Sequence, residues 1–142
     1  MQKLLLKNAD VISVNERSES VSILIEDGKI SSLLNNETAT AEMIFDLTDH
    51  IVFAGFIDAH IHGAVGVDVN TATVDDLYKM AKFLAEQGTT AWLPTFVPDA
   101  DETYRNVIAE IEKIIGIQEN EPIAQIVGVH YEGVFANEKM CG

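Results

Sequence analysis

Ile51-Val52-Phe53-Ala54-Gly55-Phe56-Ile57-Asp58-Ala59-His60-Ile61-His62 is an apolar run, rich in β-branched and aromatic side chains, that closes on two imidazoles. Residues 51–57 read as one strand. Side chains at i and i+2 of an extended segment share a face. His60 and His62 can therefore present both rings to one metal ion. A Zn-type ion held this way lowers the pKa of its water to about 7 and supplies a nucleophile at neutral pH. Two unrelated histidines near a turn are the competing reading of this pair taken alone.

Downstream of the pair the pattern alternates. A Gly-rich loop, Gly63-Ala64-Val65-Gly66, leads to Thr73, an N-cap with Asp76 in the capping-box position. Leu77, Met80, Ala81, Leu84 and Ala85 then form one helical stripe, with Gly88 placed to end it. Residues 89–97 are β-branched and aromatic, a second strand. A second helix is expected after Asp99, burying Val107, Ile108, Ile111, Ile114 and Ile115 and stopped by Gly116. Residues 123–131 make a third strand. This β-α-β-α-β order, with near-continuous apolar strands, implies a parallel sheet covered by helices.

The third strand ends His130-Tyr131-Glu132-Gly133. Parallel α/β folds gather ligands at the C-terminal ends of their strands. His60, His62 and Glu132 are thereby expected at one end of the sheet, a two-imidazole, one-carboxylate set that leaves a coordination position open. Asp58 shares their strand parity and is read as orienting a ligand rather than binding metal. His130 is read as a packed, hydrogen-bonded interior histidine, His50 as exposed, and Asp68 as a brace for its loop. Thr95, after Pro94 near the end of the second strand, is placed to line the site, with a plain strand end as the preferred reading. Met80, Trp92 and Phe96 read as core, and Asp75, Glu86 and Glu110 as a solvated helical face.

Upstream, residues 1–49 read as short antiparallel strands: Leu4-Leu5-Leu6, residues 11–14, a hairpin turning on Asp27-Gly28, and residues 43–47, with a polar loop at 35–41. Asp-Gly supplies the positive φ angles of a type I′ turn. The expected division is 1–49 and 50–142.

Charge narrows the function. Twenty-three acids against nine bases give a net charge of −14, which argues against nucleic-acid or anionic-membrane binding, since both need basic faces. The single Cys141 cannot form an internal disulfide. The apolar part of the first seven residues is short for a signal peptide, and no apolar run approaches the roughly 18 residues of a membrane helix. A soluble, cytoplasmic protein is expected.

Gly55-Phe56-Ile57-Asp58-Ala59-His60-Ile61-His62-Gly63 resembles the first-strand signature of the amidohydrolase superfamily. Residues 23–30 resemble the small β-sandwich that precedes the barrel in many members. Phe83-Leu84-Ala85-Glu86-Gln87-Gly88-Thr89-Thr90, Leu93-Pro94-Thr95 and residues 127–135 resemble N-acetylglucosamine-6-phosphate deacetylases. The resemblance implies a β-sandwich segment followed by the first three strands and two helices of a (β/α)8 TIM barrel. It implies that Glu132 is the principal metal-ligand glutamate and that His60 and His62 bind a second ion. The cofactor would be one or two divalent ions of Zn, Fe, Mn or Co. The implied reaction hydrolyses N-acetylglucosamine 6-phosphate to glucosamine 6-phosphate and acetate, with a homodimer as the common assembly.

A (β/α)8 barrel needs about 250 residues. The proton-handling aspartate is expected beyond residue 142, and the chain alone is expected to be inactive and to pack poorly or self-associate. Val134, where the family has proline, and Met140-Cys141 depart from the family pattern and bear on the identity of the sugar. A dihydroorotase- or aminoacylase-type enzyme, or a non-catalytic interaction module, are the alternatives.

Overall fold

The computed structural model describes residues 2–35 and 39–133. Val134 and Met140-Cys141 lie outside the described residues. The chain is α/β and divides into two compact units, Met1–Ala54 and Gly55–Gly142.

The first unit holds a five-stranded sheet. Its strands are β1 (Lys3–Ile12), β2 (Arg17–Glu26), β3 (Lys29–Asn35), β4 (Met43–Asp46) and β5 (Ile51–Phe53). The order is β3-β2-β1-β4, and β5 also pairs with β1. The β2–β3 hairpin turns on Asp27 (φ 50°) and Gly28 (φ 77°), two successive left-handed residues as a type I′ turn demands. Three features differ from the sequence reading. The two expected strands at 4–6 and 11–14 are one strand, bent where Asn8 takes φ 61° and the register with β2 slips. β4 runs parallel to β1, not antiparallel, and β5 pairs parallel with β1 as well. Residues 51–57 are not one strand either. Ile51–Phe53 completes this first sheet, and a new strand starts at Phe56.

The second unit is built on β6 (Phe56–Ile61), β9 (Thr89–Phe96), β10 (Gln125–Ile126) and β11 (His130–Tyr131), with the small β7–β8 hairpin (Gly63–Ala64, Val67–Asp68) and the helices α1 (Val74–Glu86) and α2 (Asp101–Ile115). β6, β10 and β11 all pair parallel with the central β9. Helix α1 starts at a complete capping box between Thr73 and Asp76, and buries Leu77, Met80, Ala81 and Leu84. Gly88 follows it at φ 85°. Helix α2 buries Val107, Ile111 and Ile114, while Ile115 stays exposed. Gly116 caps α2 as expected, at a right-handed φ of −64°. Trp92 and Phe96, both fully buried, anchor the core from β9.

The expected third strand is broken in two, and Pro94 explains the break. Trp92 and Phe96 accept hydrogen bonds through their carbonyls from Val127 and Glu132. Backbone groups alternate along a strand, so Pro94, midway between them, points to the same side and has no N–H to offer. Between β10 and β11 the ladder is interrupted at residues 127–129. The outer edge of β10 is closed by a side chain instead of a strand. Gln118 Nε2 donates to the Ile126 carbonyl (3.1 Å) and Gln118 Oε1 accepts from the Ile126 N–H (2.8 Å). No helix among the described residues is long and apolar enough to cross a membrane.

Candidate metal centre

Because β6, β9 and β11 run parallel, their C-terminal ends share one edge of the sheet. His60 and His62 leave β6 there, Thr95 stands near the end of β9, and Glu132 follows β11 directly. Side-chain atoms of His60, His62 and Glu132 converge at this edge. The two Nε2 atoms are 3.0 Å apart, and Glu132 Oε2 lies 2.6 Å from His62 Nε2 and 3.3 Å from His60 Nε2. All three residues are roughly half exposed, so the cluster opens to solvent.

His62 Nδ1 faces the Thr95 carbonyl at 3.2 Å. A carbonyl only accepts, so this nitrogen carries a proton, and whenever the ring is neutral its Nε2 is the bare nitrogen. That nitrogen points at a carboxylate oxygen. Two ring nitrogens and a carboxylate oxygen packed this closely are held together by a shared proton or by a cation that joins them. The circle through the three atoms has a radius of about 1.7 Å, so a single cation at the ~2.0–2.1 Å typical of Zn–N and Zn–O bonds can touch all three. His60, His62 and Glu132 can hold a metal ion.

The remaining sequence candidates fall around this cluster in different ways. Asp58 does not touch either ring; its Oδ1 accepts the backbone N–H of His60 at 3.1 Å. His130 packs its ring against His60 with centroids 4.9 Å apart. It departs from the expected hydrogen-bonded histidine, since its buried Nδ1 has no partner among the described residues. Asp68 braces its loop as expected, accepting from the Asn70 N–H. His50 is exposed, with its ring against the Thr48 carbonyl. Glu110 is more than a solvated acid. It accepts the Val74 N–H at the start of α1 and pairs with Lys113. Lys113 is the main reason its carboxyl titrates below the usual range.

Two contributors go beyond the sequence reading: Thr95, weighed there as site-lining but read as a plain strand end, and Asn70, which the sequence did not single out. Thr95 is fully buried and bonded to the chain between the two histidines, with its Oγ1 accepting from the Ile61 N–H at 3.0 Å. Asn70 ties the loop after the histidines to the end of β9. Its amide accepts from the Val97 N–H and donates to the Val97 carbonyl and to Asp99. Pro94 beside Thr95 is the only sequence signal, marking a strand end where side chains must replace ladder bonds.

No protein-family model matches the chain. It is 28% identical over 144 residues to the N-acetylglucosamine-6-phosphate deacetylase of Bacillus subtilis (strain 168), a match that covers 99% of this chain and 36% of that protein. It is 31% identical to the N-acetylgalactosamine-6-phosphate deacetylase of Shewanella sp. (strain ANA-3), over 92% of this chain and 33% of the relative. The crystal structure of N-acetylglucosamine-6-phosphate deacetylase from Pasteurella multocida superposes with a TM-score of 0.84 at 26% identity, over 96% of this chain and 36% of that one. The chain spans about a third of the length of the curated relatives it matches.

Proposed function

We propose that this chain is the N-terminal, metal-binding portion of an amide hydrolase of the N-acetylglucosamine-6-phosphate deacetylase family. The observation that carries the reading is the convergence of His60 Nε2, His62 Nε2 and Glu132 Oε2 at the C-terminal edge of a parallel sheet. The similarity to deacetylases over nearly the whole chain supports it. In this reading the second unit is the opening of a (β/α)8 barrel, and the first unit is one part of a β-sandwich.

His60, His62 and Glu132 would hold a divalent cation, with Zn, Fe, Mn and Co all suited to two imidazoles and a carboxylate. Such an ion polarises a carbonyl and activates water. The chain's own residues supply its placement. Thr95 keeps the His62 Nδ1 protonated, which leaves Nε2 for the ion. Asp58 holds the backbone under His60. The half-exposed face of the cluster leaves room for water and an acetamido group. In the overall reaction the N-acetyl C–N bond breaks and the oxygen of water joins the acetyl carbon. Protons pass to the leaving nitrogen, so that acetate and an amine result. By resemblance, the aspartate that moves those protons lies beyond residue 142. The substrate is an N-acetylated amino sugar 6-phosphate, of gluco or galacto configuration.

The test is acetate release by the whole polypeptide that carries this chain. The substrates are N-acetylglucosamine 6-phosphate and N-acetylgalactosamine 6-phosphate, with dihydroorotate as the contrasting cyclic amide. Release from one of the sugars, lost on chelation and in Glu132→Gln, is expected. Activity on dihydroorotate alone, or full activity in Glu132→Gln, would refute the reading.

A further inference from the structure

The ladder between β6 and β9 loses its regular register between Asp58 and Ile61, directly under the two histidines. Two successive backbone amides there are satisfied by side chains. The His60 N–H goes to Asp58 Oδ1, and the Ile61 N–H goes to Thr95 Oγ1. The Thr95 hydroxyl proton is already committed to the Leu93 carbonyl at 3.1 Å, so its lone pairs are turned toward Ile61. The carbonyl of the same residue meets His62 Nδ1. Thr95 is fully buried, so water cannot replace these bonds without a rearrangement.

We propose that Thr95 is a positioning residue of the metal centre, its hydroxyl fixing the peptide between the two histidines while its carbonyl fixes the His62 ring with Nε2 facing the ion. Thr95 touches no ligand atom of the cluster and acts through Ile61 and His62. The side chain and the main chain of one residue thus set both the separation of the rings and the tautomer of one of them. The inference rests on the metal-centre reading above, and its test separates the two.

Protein labelled with 15N-histidine and freed of metal is observed at about pH 8, where an ordinary imidazole is neutral. His62 is expected as the Nδ1–H tautomer, with slow exchange of the Ile61 amide. An Nε2–H tautomer in the parent protein overturns the proposal, whatever any variant does. Zn2+ titration then compares Thr95→Val, which removes the hydroxyl at nearly constant volume, with Thr95→Ser, which keeps it. The valine variant is expected to weaken Zn2+ binding by about tenfold or more and to mix the His62 tautomers, and the serine variant to stay within about threefold of the parent. A valine variant with the parent's affinity and tautomer overturns the proposal. Should Thr95→Val fail to fold, the parent tautomer and the serine variant decide. If the parent binds no Zn2+ yet shows His62 as Nδ1–H, the metal reading fails while the hold of Thr95 on the ring stands.

Discussion

His62 Nε2 and Glu132 Oε2 stand 2.6 Å apart, although the central strand β9 lies between the strands that deliver them. Two imidazoles and a carboxylate gathered within 3.3 Å of one another make the folded state a better ligand than the unfolded chain. Saturating Zn2+ is therefore expected to stabilise the protein. At a hundredfold excess over Kd the gain is about 2.7 kcal/mol. Thermal unfolding with Zn2+ and with chelator measures it, and Glu132→Gln is expected to lose most of the difference. An equal Zn2+ effect in that variant would show that the ion binds elsewhere.

Gly63, the residue after His62, allows no side chain. A Cβ there would lie 2.1 Å from the backbone carbonyl oxygen of Val67 across the β7–β8 hairpin. Backbone cannot swing aside as a flexible side chain can. Gly63→Ala is expected to cost about 1–3 kcal/mol, as overpacking does, and to weaken Zn2+ binding by shifting His62. Denaturant unfolding and metal titration check both effects. Unchanged values for both would mean that the hairpin adapts freely.

Gln118 satisfies both backbone groups of the buried Ile126 on the free edge of β10. Gln118→Ala strands a buried donor and a buried acceptor together. The expected loss is about 2 kcal/mol or more, with faster amide exchange at Ile126. Urea unfolding and hydrogen exchange measure it. A change near zero would indicate that water takes over both bonds.

Asp99 and Asp76 both titrate below the ordinary carboxylate range. The Ala100 N–H, then Asn70 and Thr103, stabilise the charged form of Asp99. The Thr73 hydroxyl and N–H do so for Asp76. A native pKa below the unfolded value means that the unfolded state binds more protons as pH falls. The stabilisation is complete above the ordinary Asp value near 4 and is lost as pH drops through the lower native values. Urea midpoints from about pH 6 to pH 2.5 are expected to decline on this limb, and the double variant Asp76→Asn/Asp99→Asn to decline less. Superimposable curves would remove both groups from the acid transition.

Much of this was legible in the chain itself. The stripe Leu77, Met80, Ala81, Leu84 and the Thr73–Asp76 box fix α1 because helix periodicity and capping are local. Asp27-Gly28 fixes its hairpin for the same reason. His60, His62 and Glu132 could be aligned in advance, since parallel strands put their C-terminal ends on one edge. Tertiary structure alone decided the rest. Whether residues 51–57 form one strand or two depends on which sheet offers partners, and β1 claims Ile51–Phe53. The third strand breaks because Pro94, on a different strand, has no hydrogen to give it. The roles of Thr95 and Gln118 are invisible in sequence, because a hydroxyl or amide gains its meaning from the backbone group that folding sets before it. Period and capping act between neighbours along the chain, whereas the satisfaction of buried donors and acceptors is settled between residues that meet only in the folded state.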